Sequence, residues 1–304
     1  MASELSQDQS SGVPLPEIGT KLSVPHPPDD AQLAVTTFSA QGWEDYARDG
    51  LDSMVRYFPG PIVAYFEEDQ PEQPWGERVE WRPLLQCLGL SDILDWAWAN
   101  PVLQGVIPKG YSYQFDLAKF CRKVFVQADA AARFHGWLWW LDADTRLLKP
   151  IPPGLAPSLL KDDCTAAMGR IGFHIESGVV LWNTAHPDSE RFFKRYQELF
   201  LTGEILGLPG WHDCWAYQKA LRDTGARNKN LTPGLRGMQP VIDQSPFKGL
   251  LDHNKGMRKY GSDAKRRDKA GKKLDRPIPR ASSGVEGTGD DSPGKGPADV
   301  RPPG

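Results

Sequence analysis

The residues with the clearest capacity for chemistry close one short stretch, HGWLWWLDADT (residues 135–145), where Asp142 and Asp144 stand one residue apart. Carboxylates that close repel each other, and a cation between them removes the cost. Their hard oxygens suit Mg²⁺ or Mn²⁺. The tripeptide alone carries little weight, because 26 aspartates in 304 residues supply roughly two such matches by chance. Its setting carries more: an apolar strand running into the pair gives it a rigid base. The other reading is a strand-ending turn in which Asp144 caps the next segment.

A second chemistry fits the same tripeptide. Phosphatases of the haloacid dehalogenase type place a nucleophilic Asp and an acid/base Asp after an apolar strand, in the pattern DxDx[TV]. Here Arg146 stands where that pattern has Thr or Val, and the threonine, Thr145, comes one place early. That motif also belongs to a first strand, whereas several elements precede this one.

Those elements are short apolar runs alternating with helical patterns. LAVTTFS (33–39), PIVAYFEE (61–68), GWLWWLDADT (136–145), CTAAMGR (164–170) and IESGVVLWNT (175–184) read as strands. QPVIDQSPF (239–247) reads as a weak final one. Residues 42–58 place Trp43, Tyr46, Leu51, Met54, Val55 and Phe58 at helical spacing. Helices are also expected over 81–100, 111–134, 186–205 and 209–225. Such alternation predicts an α/β fold with a mostly parallel central sheet flanked by helices. In such sheets ligands bind beyond the carboxyl ends of the strands, where Asp142 and Asp144 lie.

Three motifs in order resemble the retaining glycosyltransferases that include glycogenin and the bacterial lipopolysaccharide galactosyltransferases. They are DADT after the apolar strand, ESGVVLWNT, and HNKGMRK, and the resemblance spans about residues 33 to 260. It implies a GT-A (nucleotide-diphospho-sugar transferase) fold, Mn²⁺ or Mg²⁺, a nucleotide-sugar donor (usually a UDP-sugar) and a separate acceptor. The late motif H-x-x-G-x-x-K falls on His253, Gly256 and Lys259. By this resemblance Asp142, Asp144 and His253 hold the metal, and Gly256 and Lys259 meet the donor diphosphate. Thr37 and Ser39 end the first strand, where the family holds the base, although small polar residues there also serve turns. Lys119 is expected to be the basic residue on the helix before the DxD strand, with Arg122 and Lys123 as competitors. Glu176 stands where the family has Asn, and by the resemblance a carboxylate at that position is expected to face the reacting carbon. Asp213 matches a later acidic helix start and is its rival, with helix capping as an alternative. Tyr260 stands where the family prefers Pro.

The organisation expected is an arm at 1–30, a catalytic domain at 31–260 and a tail at 261–304. Ser, Pro and Asp dominate the arm, which has little to bury. The tail carries ten Lys or Arg against seven Asp or Glu, including KRRDKAGKK, which could touch an anionic partner. A net charge of −3 gives no argument for nucleic acid. No run approaches 18 apolar residues, and Cys87, Cys121, Cys164 and Cys214 form no CxxC pair, so a reducing, cytoplasmic setting is expected. The reading is a metal-dependent transferase acting on a nucleotide-sugar with retention. The alternatives are the Asp142-nucleophile phosphatase and a non-catalytic sugar- or nucleotide-binding protein on the same fold.

Overall fold

A computed structural model of the chain describes residues 25–67, 75–237 and 240–253. Its centre is a seven-stranded sheet in the order β10-β8-β9-β6-β1-β2-β3. The strands are β1 (Gln32–Phe38), β2 (Ile62–Phe66), β3 (Val79–Pro83), β6 (Trp137–Leu141), β8 (Thr165–Met168), β9 (Glu176–Asn183) and β10 (Asn228–Asn230). Four of its six pairings are parallel. The other two are antiparallel and both belong to β9. The sheet is therefore mixed, and the reversed β9 brings its amino end to the edge where β1 and β6 end.

The run of tryptophans in β6 follows from its central place. A strand covered on both faces has no polar side to show water, so it reads as continuously apolar. Leu138 and Trp140 point into one core with α3 (Leu90–Ala99), α4 (Leu117–Arg133), α6 (Ser189–Leu201) and α7 (Asp213–Thr224). Trp137, Trp139 and Leu141 point into the other, with α2 (Arg48–Tyr57) and α5 (Leu155–Leu160). Each of the three indole N–H groups finds an acceptor, which offsets the cost of burying it: Trp137 gives its to the carbonyl of Pro28, Trp139 to Gln32 and Trp140 to Asp142. Pro25 joins Pro28 in this docking, its carbonyl accepting from Asn183. Residues 1–24 of the expected arm and all of the tail lie outside the described residues.

Several expected helices are shorter than the pattern suggested. Residues 81–100 divide into the end of β3, a single 3₁₀ turn at Leu84–Gln86 and α3, which starts only after Gly89 turns the chain at φ 79°. Residues 111–134 divide at Asp116, whose carboxylate caps α4 by accepting from the Lys119 N–H. The stretch before it is β5 (Gly110–Asp116), paired with β4 (Gln104–Ile107) in a ribbon. Helix 42–58 forms as a short α1 (Ala40–Gly42), one π turn over Trp43–Ala47 and then α2. The expected strand at 239–247 is not one: its described part forms a 3₁₀ turn at Ile242–Gln244. The last described strand is instead β11 (Leu251–His253), antiparallel to β7 (Thr145–Leu147).

All four cysteines are free. Among the described residues no helix is long and apolar enough to cross a membrane.

Candidate functional site

The aspartate pair sits on a turn that three elements hold in place. The Asp142 N–H donates to the Gly178 carbonyl on β9 at 2.9 Å, and the Thr145 N–H closes the turn onto the Asp142 carbonyl at 2.8 Å. Beneath it, α2 makes its nearest approach at Gly50, where an added Cβ would fall 2.4 Å from the Ala143 carbonyl oxygen and 3.0 Å from that of Thr145. Ser53 of the same helix accepts from the Leu147 N–H, and Arg146 pairs with Asp49. The turn and the acidic pair are thus one feature.

His253 reaches this turn through β11. Its register places His253 opposite Thr145, and its Nε2 lies 3.0 Å from Asp144 Oδ1 and 3.5 Å from Asp142 Oδ2. One ligand atom from each of Asp142, Asp144 and His253 falls within a 4.8 Å span. Asp144 and His253 are buried, and Asp142 is half-buried. The space around the imidazole is kept by Gly178: a Cβ there would stand 2.1 Å from His253 Cε1, 2.7 Å from Nδ1 and 3.1 Å from Asp142 Oδ2. Two carboxylates and one imidazole facing inward form a donor set suited to Mn²⁺ or Mg²⁺.

A second layer surrounds Lys123, which α4 buries beneath the cluster. Its ammonium donates to Asp142 Oδ1, Asp213 Oδ2 and the Ser177 carbonyl, each at 2.8 Å, so all three protons have an acceptor. It also lies 5.2 Å from the Trp140 ring centroid. Burial alone would lower the Lys123 pKa, but Asp142 and Asp213 outweigh it and raise it. Burial would likewise raise Asp213, yet Lys123 and the Ser177 hydroxyl hold it below the usual carboxylate range. Asp213 opens α7, and its carboxylate turns to Lys123 and Ser177.

The remaining candidates lie around this edge. Glu176 begins β9, is buried, accepts from the Gly178 N–H at 3.2 Å and pairs with Arg170 at 4.0 Å. Thr37 and Ser39 end β1, the strand beside β6; extending the Val35–Trp140 register by two residues sets Thr37 level with Asp142. The Thr37 hydroxyl donates to the Tyr65 carbonyl, and Ser39 Oγ accepts from the Gly42 N–H as the cap of α1. Of the three basic candidates on α4, it is Lys123 that reaches the acidic cluster. Lys119 lies exposed one turn nearer the helix start, and Arg122 pairs with Glu67. Gly256 and Lys259 lie outside the described residues.

Sequence reasoning ranked Lys123 below Lys119, although its spacing from the aspartates was legible; what it lacked was which face of α4 turns inward. Ser177 falls within the ESGVVLWNT motif but carries no assigned role there, and neither does Trp140 in its strand. His212, Asp213 and Cys214 form a second group within 4.8 Å. It makes a poor metal site, because Asp213 is committed to Lys123 and burial raises the Cys214 thiol above its ordinary value.

No family model matches the chain, and no curated protein does. Among solved structures it is similar to the glycosyltransferase GlyE of Streptococcus pneumoniae TIGR4, at 13% identity with a TM-score of 0.38. The apo form of GlyE gives 14% identity and 0.39. The matches cover 66% and 65% of this chain and 44% of GlyE, so the chain spans less than half the length of the protein it matches. With a likeness that loose, function rests on the residues of this chain.

Proposed function

We propose that the protein is a metal-dependent glycosyltransferase of the GT-A type. It would move a sugar from a nucleotide-diphospho-sugar, with UDP favoured, to an acceptor that the site does not identify. The observation that carries this reading is the meeting of Asp142, Asp144 and His253 at the carboxyl edge of the sheet, beside the end of β1.

Asp142, Asp144 and His253 would hold Mn²⁺ or Mg²⁺. Bound there, the cation would supply the Lewis-acid charge that a departing nucleoside diphosphate needs. The chain's own residues do the rest. Thr37 and Ser39 face the base and ribose; each hydroxyl has a bond within the fold, and each keeps capacity for one more, since a hydroxyl both donates and accepts. Lys119, exposed above Lys123, offers a mobile positive charge to the donor phosphates, and Lys259 and Gly256 serve the same diphosphate. Glu176, paired with Arg170 at 4.0 Å, would be the carboxylate that acts near the reacting carbon, because Asp213 is held more closely by Lys123 and Ser177. Retention is the outcome that the resemblance to the retaining transferases favours.

A thermal-shift screen of UDP- and GDP-sugars with and without Mn²⁺ tests the reading, since a ligand that binds only the folded state raises its melting point. The expectation is a shift that needs both metal and nucleotide-sugar, followed by donor hydrolysis that Asp142→Ala and Asp144→Ala each abolish. No shift at millimolar ligand overturns the function. Unchanged hydrolysis in either variant overturns the site. Turnover of p-nitrophenyl phosphate with a trapped aspartyl-phosphate at Asp142 would establish the phosphatase instead, and donor binding without consumption would establish a binding protein.

A further inference from the structure

The acidic cluster contains its own cation. Asp142, Asp144 and Asp213 stand together there, with Lys123 Nζ 2.8 Å from both Asp142 Oδ1 and Asp213 Oδ2. His253 spans the two aspartates of the turn. Glu176, the next carboxylate, has Arg170 opposite it. Three carboxylates against one ammonium, with the imidazole neutral as a metal ligand must be, leave a formal charge of −2. That is the charge a divalent cation cancels. The same contacts divide the two oxygens of Asp142. Oδ1 accepts from Lys123 and from the Trp140 indole at 2.7 Å, whereas Oδ2 is the oxygen nearer His253, at 3.5 Å.

We propose that Lys123 is a positioning residue and resident countercharge. It cancels the charge of Asp213, sets the Asp142–Asp144–His253 site at −2, and fixes Asp142 so that it offers a cation one oxygen, Oδ2. This rests on the metal-site reading above and extends it from which residues bind to why the site is tuned to a +2 ion. Lys123 need not touch the donor, since its three protons already have acceptors inside the protein.

The consequence is a charge ladder in metal affinity that needs no turnover to read. Lys123→Met leaves the site at −3, Asp213→Asn at −1, and the double variant Lys123→Met/Asp213→Asn returns it to −2. A unit charge a few ångströms away, at an effective dielectric near ~20, moves an affinity by about tenfold or more. Mn²⁺ titration followed by the loss of the free-ion EPR signal, at pH 7.5, is expected to rank Lys123→Met tightest and Asp213→Asn weakest. The double variant and the conservative Lys123→Arg should fall near the wild type. Tb³⁺ luminescence adds an independent arm: the ratio of Tb³⁺ to Mn²⁺ affinity should rise in Lys123→Met, because a −3 site favours a trivalent ion.

A lysine that only supports packing would lower the melting point and leave this ordering absent. The proposal is overturned if folded Lys123→Met binds Mn²⁺ no tighter than wild type, or if Asp213→Asn binds it equally well. If Lys123→Met does not fold, Asp213→Asn and the double variant still decide the matter, by whether the affinity lost in the first returns in the second. A wild-type protein that binds no Mn²⁺ at millimolar concentration removes the metal site and this inference together. One that follows the ladder but consumes no nucleotide-sugar removes the transferase reading and leaves the inference standing.

Discussion

Replacing Gly178 by alanine should evict His253 from the cluster while leaving the sheet in place. The new methyl would sit 2.1 Å from His253 Cε1 and 3.1 Å from Asp142 Oδ2, where ordinary contact begins at 3.4 Å, so the imidazole must retreat by more than an ångström. Either the imidazole turns away on its own side chain or β11 gives way, because β9 is buried along its whole length and pairs on both sides with β6 and β8, whereas β11 is three residues long and pairs with β7. Overpacking a filled site costs about 1–3 kcal/mol, and in a domain of this size each kcal/mol lowers the melting point by about 2–4 °C. Displacing a ligand should cost at least what loss of an outer partner does, on the order of 10–100-fold in metal affinity. Paired Mn²⁺ titrations and thermal melts of Gly178→Ala and His253→Ala check this, and both variants should show the same weakened affinity. An alanine variant that binds Mn²⁺ within twofold of wild type would refute the reasoning.

Two further outcomes come from other contacts. Gly50→Ala drives a methyl against the Ala143 and Thr145 carbonyl oxygens, backbone atoms that cannot swing aside. It should therefore destabilise the fold by about 1–3 kcal/mol and weaken Mn²⁺ binding by displacing the turn; a loss of stability with unchanged affinity would show that the turn does not shift. For pH, burial lowers both His186 and His212 below the ordinary histidine value. The unfolded chain then takes up protons first, so stability present above pH ~6.5 falls as the pH drops toward the folded values. Melting points should hold from pH 8 to 7 and decline from 6.5 to 5, less steeply in His186→Gln/His212→Gln. Asp213, held low by Lys123 against its burial, adds a loss only below pH ~4. A flat profile between pH 7 and 5.5 would contradict the histidine assignment.

How much of the fold and site could be read beforehand depended on how many residues carried each signal. β6 was legible because five consecutive apolar residues end in two acids. β9 was legible for a similar reason, as a long apolar run buried on both faces. β7, β10 and β11 have three residues each, too few for any periodicity to rise above chance. β5 was absorbed into the helix after it, because Tyr111, Tyr113 and Phe115 fit a helical pattern as loosely as a strand and only the Asp116 cap marks the border. Asp142 and Asp144 were visible as neighbours. His253 could be joined to them only through a motif spacing, since its approach depends on an antiparallel pairing across a hundred residues. Lys123 shows what was missing: a basic residue on a mixed-charge helix looks solvated until the helix's inward face is known.

The pairing of β11 with β7 has a consequence for the order in which the protein matures. All seven strands of the central sheet lie between Gln32 and Asn230, so they are synthesised before His253 is added. Chains fold from the amino end as they are made, and the carboxylates of the turn can begin to assemble around Lys123 before the imidazole of His253 has been added. A nascent chain at that stage would already have the strands of its sheet, but its acidic cluster would hold only Lys123 as countercharge and would still lack the imidazole of His253. His253 therefore joins the turn only after every strand of the central sheet has been made.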